Sequence, residues 1–102
     1  MTVAWNQAAL DDRAGYLEAA WQRALALPDP QIFAAAVDQD TRIEVEGENL
    51  DGGAFYRQGP LPDSYIYPTH GGRFVLLYRR IDDDVEIERV LPSRSNWQAH
   101  AS

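Results

Sequence analysis

Arg73, Arg79, Arg80, Arg89 and Arg94 crowd a stretch of little more than twenty residues. Guanidinium groups are fixed cations with a planar fork of donors, suited to phosphates and carboxylates alike. Tyr78 lies among them, and His70 and His100 are the other ordinary proton carriers in the neighbourhood. Acid–base work needs such a group held against its substrate. His70 sits in the turn-like Thr69-His70-Gly71-Gly72 and His100 in a polar tail, so both read as solvated residues. Asp82-Asp83-Asp84 offers three carboxylates, but neighbouring side chains on an extended chain point apart. A solvated hairpin turn accounts for them, and no metal is expected. Gly52-Gly53 and Gly71-Gly72 lack the spacing and the lysine of a phosphate-binding loop. Ser93 and His100 have no spacing that suggests a nucleophilic triad. Cysteine is absent, which excludes disulfides, thiolate metal sites and a thiol nucleophile. No cofactor is expected.

What the arginines do depends on their partners. Glu86 and Glu88 alternate along the last apolar segment and could pair across a hairpin with Arg79 and Arg80. A tight turn at Asp83-Asp84 sets Arg79 against Glu88 and Tyr78 against Arg89. A loop over Asp82 to Asp84 sets Arg80 against Glu86 and Tyr78 against Glu88. The pattern leaves both registers open, and a slip by one residue exchanges the faces. Arg89 and Arg94 have no evident local partner and are read towards a partner or target surface. Trp97 follows in a polar tail, either stapling that tail or anchoring a partner.

The charge of the whole chain restricts what those cations can bind. Acidic residues number 16 against 9 arginines, with no lysine, for a net charge of -7 over 102 residues. A polyanion is repelled by such a surface on average, so sequence-specific nucleic-acid binding is not expected. No apolar run approaches the ~20 residues that cross a bilayer, and no basic, apolar leader opens the chain. A cytoplasmic protein of one domain over 1–102 is expected, with a flexible tail at 98–102.

The elements that must position these residues fall in two blocks. Val3-Ala4-Trp5 reads as a short strand, and Asn6 as the cap of a first helix. Leu10, Ala14, Leu17, Trp21 and Leu25 recur at helical spacing and predict its core stripe, with Trp5 as packing beside it. Pro28 and Pro30 stop this helix near Ala26. Asp29-Pro30 starts a second, whose stripe runs through Ile32, Ala36, Ile43 and Leu50. Gly47 and Asp51-Gly52-Gly53 are read as its end. Beyond them the period becomes two. Ser64 to Tyr67, Arg73 to Ile81 and Val85 to Leu91 read as strands, the middle one apolar on both faces as a central strand is. The fold class is α+β: a helical hairpin packed on one face of a small antiparallel sheet.

The segment from Arg73 to Trp97 resembles the carboxy-terminal hairpin of the ParE/RelE toxins. The matching features are an apolar strand closing on Tyr78, the acidic turn Asp82 to Asp84, the run Val85, Ile87, Arg89, Val90, Leu91, and the basic Arg94. Val3 and Trp5 resemble the family's opening strand. The resemblance implies the toxin half of a type II toxin–antitoxin system. Such a toxin is neutralised by a cognate antitoxin, and Arg79, Arg80 and Ile87 are the expected antitoxin contacts. Family members split between ribosome-dependent mRNA cleavage, as in RelE, and poisoning of DNA gyrase, as in ParE. Pro92 stands where nuclease members often carry histidine, and lysine is missing. A ParE-like, non-enzymatic gyrase inhibitor is therefore expected, with Arg89, Arg94 and Trp97 on the target surface. The alternatives are a RelE-like endonuclease and a non-toxic interaction domain of the same fold.

Overall fold

Asn6 both ends a strand and starts a helix. Its N–H donates to the carbonyl of Ile87 at 3.0 Å, and its side chain accepts from the Ala9 amide at 3.1 Å. The computed structural model in which this is seen describes residues 2–52, 57–58, 64–69 and 71–93, with 51, 52, 57 and 58 described by backbone alone. Strand β1 (Val3–Trp5) therefore passes directly into helix α1 (Gln7–Ala26). Asp29 caps α2 (Pro30–Glu48) by accepting from Gln31 N at 3.0 Å, with proline in the first turn. Both caps are the ones the sequence predicts.

Strands β2 (Arg57–Gln58), β3 (Ser64–Pro68), β4 (Phe74–Ile81) and β5 (Asp84–Pro92) complete one sheet in the order β1-β5-β4-β3-β2. The fold is α+β with two helices against the sheet, as expected. Strands β2 to β5 are antiparallel, whereas β1 lies parallel to β5, making the sheet mixed. The two-residue β2 had no counterpart in the sequence pattern.

The β4–β5 register is neither of the two foreseen. Ile81 pairs with Asp84, so the turn is Asp82-Asp83, with Asp82 in the left-handed region at φ 55°. Arg79 then opposes Glu86, and Tyr78 opposes Ile87. The next pair is Leu77 with Arg89, so Glu88 is the extra residue of a β-bulge. That insertion is invisible to a strict period of two. Asp84 is drawn away from the turn, accepting from the N and Oγ1 of Thr2 at 3.1 and 3.0 Å.

The main core lies between helices and sheet. Ile43, Leu50, Leu76, Tyr78, Val85, Ile87 and Val90 fill it, each at most 2% exposed. Burying side chains of this size is worth about 1.5–3 kcal/mol each. Ile66, Val75, Leu77 and Leu91 form a second cluster on the other face, so β4 is apolar on both sides. Ile43 and Leu50 carry the predicted α2 stripe. On α1 the predicted stripe is displaced. Ala9, Ala20 and Ala24 are buried, whereas Leu10, Trp21 and Leu25 are 41, 45 and 57% exposed. Alanine permits the close approach of helix to helix and sheet, and the larger side chains are turned to the flank. There Trp21 meets Phe33 edge-on at 5.2 Å.

One glycine is dictated by packing. The α2 helix does not stop at Gly47 but runs through it to Glu48, followed by a 3-10 turn at Asn49–Gly52. The Trp5 ring lies on Gly47, where a Cβ would come within 2.6 Å of its Cζ2 and Cη2. Trp5 Nε1 donates to Glu48 Oε1 at 2.9 Å, and the Arg13 guanidinium sits 4.7 Å from the ring centroid. Trp5 is thus a packing residue, as expected.

Candidate functional site

Strand β1 covers β5 only from Val85 to Ile87. Past that point two side chains of α1 take its place. Val90 N donates to Asp12 Oδ2 at 2.9 Å, and the Val90 carbonyl accepts from the Tyr16 hydroxyl at 2.5 Å. Asp12 and Tyr16 are four apart on the helix and so share a face. Together they supply the acceptor and donor that a neighbouring strand would present, and edge groups left open invite pairing with other chains. Arg89 completes the arrangement, its Nε and Nη2 reaching Asp12 Oδ2 and Oδ1 at 2.8 and 2.9 Å. This bidentate pair holds the guanidinium pKa above its ordinary value, mainly through the Asp12 hydrogen bond. Burial, then the Asp12 charge, pushes the Tyr16 hydroxyl up to about 12, with the Arg89 charge acting the other way. Tyr16 also packs on Phe74, with ring centroids 4.9 Å apart.

The expectation that Arg89 has no local partner is therefore corrected. Its charge is neutralised within the fold by a residue 77 positions away, a pairing that no local pattern announces. Ile87, expected to touch an antitoxin, is 0% exposed and belongs to the core beneath α1 and α2. The bulge and β1 place it there. Arg79 is exposed, with Nε 4.0 Å from Glu88 Oε1. Glu88 has its carboxyl pKa raised by partial burial, with Arg79 lowering it and Glu86 raising it further. Arg80 turns to the helical face and donates to the carbonyl of Leu50 at 3.3 Å. Of the expected contacts, only Arg79 stands out into solvent. Arg94 and Trp97, with His70 and His100, lie outside the described residues.

Two further clusters were not singled out from the sequence. Arg13 binds Asp40 through Nε and Nη2 at 2.8 and 3.0 Å, and Glu44 through Nη2 at 2.9 Å, tying α1 to α2. Its guanidinium pKa is raised, the Asp40 hydrogen bond contributing most. Glu46 Oε1 accepts from Tyr67 across the α2–β3 seam at 2.5 Å. Asp40 and Glu44 are spaced four apart on α2, which was the available signal, but their partner lies 27 and 31 residues earlier. Among the described residues, no group of three metal-ligating side chains converges.

Between α1 and α2, above Phe74, runs a groove enclosing about 240 Å³. Leu17, Ala20, Ile32 and Ala36 form its apolar wall. Arg23 and Arg73, both exposed, stand at it without an ion pair to any described residue. Gln39 also lines it, and its Nε2 is buried with no hydrogen-bond partner among the described residues.

No protein-family model matches the chain. No curated protein matches its sequence. A solved structure described as the chromosomal ParDE TA (toxin–antitoxin) system from P. aeruginosa contains a chain of the same fold. The TM-score is 0.67 at 18% identity, over 90% of this chain and 95% of that one.

Proposed function

We propose that the chain is the toxin component of a type II toxin–antitoxin system, ParE-like, neutralised by a cognate antitoxin and acting on DNA gyrase. The observation that carries this reading is the likeness in fold to a chain of the ParDE system, spanning nearly the full length of both. The hairpin residues Tyr78, Val85, Val90 and Leu91, whose sequence first suggested that family, form the centre of the sheet. A non-enzymatic protein, working in the cytoplasm through protein contacts, accords with the net charge of -7 and with the engagement of Arg13, Arg80 and Arg89 in intramolecular bonds. An RNA-cleaving site needs cations free to stabilise the phosphate, and Arg89, the hairpin cation nearest the β5 edge, is tied to Asp12. No helix among the described residues is long and apolar enough to cross a membrane. On this reading the target surface is Arg94 and Trp97, and Arg79, the exposed cation of the hairpin, is an antitoxin contact.

The test expresses the chain in bacteria alone and beside the neighbouring reading frame, following growth, RNA integrity and gyrase-dependent DNA breaks together. Growth arrest with DNA breaks and intact RNA, relieved by the neighbour, is the expected result. Early mRNA cleavage would replace the ParE-like reading with a ribonuclease. Harmless expression of folded protein would leave only an interaction domain.

A further inference from the structure

The groove between α1 and α2 has two unlike ends, and the pairing of the helices says which residues stand at each. The helices run antiparallel, with Arg13 bonded to Asp40 towards one end and Trp21 against Phe33 towards the other. Gln39 therefore lies at the first end, beside Asp40. Arg23 lies at the second, across from the first turns of α2. Strand β4 runs beneath: Arg80 reaches Leu50, past the end of α2, and Phe74 packs on Tyr16. Arg73, one residue before Phe74, is thereby carried towards Arg23. From Gln39 back to Ile32 is seven residues of helix, roughly 10 Å.

Each end calls for a different chemical group. Arg23 and Arg73 are exposed, and neither is ion-paired to a described residue. In a chain of net charge -7 they make a local cationic mouth, and guanidinium forks suit a carboxylate. The middle is apolar, formed by Leu17, Ala20, Ile32, Ala36 and Phe74. At the inner end the Gln39 Nε2 is buried with no hydrogen-bond partner among the described residues, a state that interiors seldom tolerate. Asp40 beside it accepts from Arg13 through both oxygens, and an ionised carboxylate keeps lone pairs for more. A donor and an acceptor side by side read a hydroxyl: the amide N–H gives to its oxygen, and the carboxylate accepts its proton in a hydrogen bond. Volume sets the size. The groove encloses about 240 Å³. An apolar cavity of ~150 Å³ holds benzene, and ordinary ligand sites begin at ~300 Å³. A ligand of roughly twelve non-hydrogen atoms falls between them.

We propose that this groove binds a small hydroxyaryl carboxylate, with its carboxylate at Arg23 and Arg73, its ring on the apolar wall and its hydroxyl at Gln39 and Asp40. The site goes beyond the toxin reading, and neither depends on the other.

The test titrates the full chain with para-hydroxyphenylpropionate and follows NMR shifts. Binding should saturate with a Kd on the order of 0.1 mM, within reach of a ligand of this size. Backbone shifts should centre on Ala20, Ile32 and Ala36, and the side-chain amide of Gln39 should move with them. Phenylpropionate, which lacks the hydroxyl, should bind about tenfold more weakly, because Gln39 stays unpartnered. The neutral para-hydroxyphenylpropanol should bind about fivefold more weakly at low salt, and high salt should narrow that gap. Arg23→Gln/Arg73→Gln changes exposed positions outside the core, and should remove the preference for the acid over the alcohol. Gln39→Leu should keep the melting temperature and remove the preference for the hydroxyl. No shifts at millimolar concentration, equal affinity for the three compounds, or shifts centred elsewhere would overturn the proposal. So would unchanged preferences in variants that melt like the parent chain. If the compounds fail on the free chain while a second copy or a protein segment shifts the same residues, the groove belongs to that occupant and the proposal falls. None of these results bears on the growth and DNA-break assay, which decides the toxin reading by itself.

Discussion

Asp12 does three jobs with two oxygens: it accepts from the Val90 amide and from two nitrogens of Arg89. The two partners are therefore not equivalent. Asp12→Ala leaves a half-buried guanidinium and a strand amide without acceptors, and should cost about 3 kcal/mol of folding stability. Arg89→Ala leaves Asp12 on the Val90 amide, and should cost only about 1–2 kcal/mol. Chemical denaturation of the two singles and the double would show it; equal losses would mean that the Val90 bond contributes nothing beyond the ion pair. Tyr16 makes a second prediction, about pH. Its hydroxyl ionises near 12 in the folded chain, against an ordinary value of 10.0. Below pH 10 both states hold the proton and stability is unaffected. Between about 10 and 12 the unfolded chain loses the proton first, so stability should fall as pH rises. Tyr16→Phe should lower stability by about 1 kcal/mol at neutral pH through the lost Val90 bond, and should flatten the alkaline fall. Alkaline melting curves of both proteins would reveal a slope that the variant lacks. Neither residue stood out in the sequence. In the sequence Asp12 is one of two adjacent acids near a helix start, and its partners come from the far end of the chain.

At the level of elements, legibility followed locality. Both caps, the proline stops and the β4–β5 hairpin rest on neighbours in sequence and were readable there. The α1 stripe was not, because hydrophobic spacing alone cannot tell a helix that packs through leucine from one that packs through alanine. The bulge at Glu88 and the parallel docking of β1 depend on contacts across the whole fold. Gly47 shows the same limit. It looked like a helix stop and is instead a seat for Trp5. Gly47→Ala would gain up to about 1 kcal/mol of helix propensity, but the new methyl meets the indole and the Ile87 Cδ1. Overpacking of this kind costs about 1–3 kcal/mol, so the substitution should lower the melting temperature. In a Trp5→Ala background, already weakened by loss of the ring, the same Gly47→Ala should be neutral or stabilising. A melting series over the four proteins tests this, and a Gly47→Ala effect identical in both backgrounds would put its cause elsewhere.

Across the whole molecule, cohesion is greatest in the middle of the sheet. Strand β4 has a partner on each side and buried residues on both faces, whereas β1 and β2 are short and lie at the edges. Amide exchange should follow that gradient. The inner amides of β4 should open only with global unfolding, and those of Ala4 and Gln58 far sooner. Uniform protection along the five strands would contradict it. The groove arginines and the exposed Arg79 stand apart from this rigid centre, where binding a partner need not deform the sheet. The pairing of β1 with β5 also sets a timetable. Asp84, which anchors Thr2, follows it by 82 positions. A ribosome adding ~5–20 residues each second needs roughly 4 to 16 s to make that stretch. Throughout that interval the first strand has no template to join, and α1 has no β5 edge to cover. The helical hairpin is thus made well before the strand whose edge it covers, and the sheet closes on it only when β5 arrives.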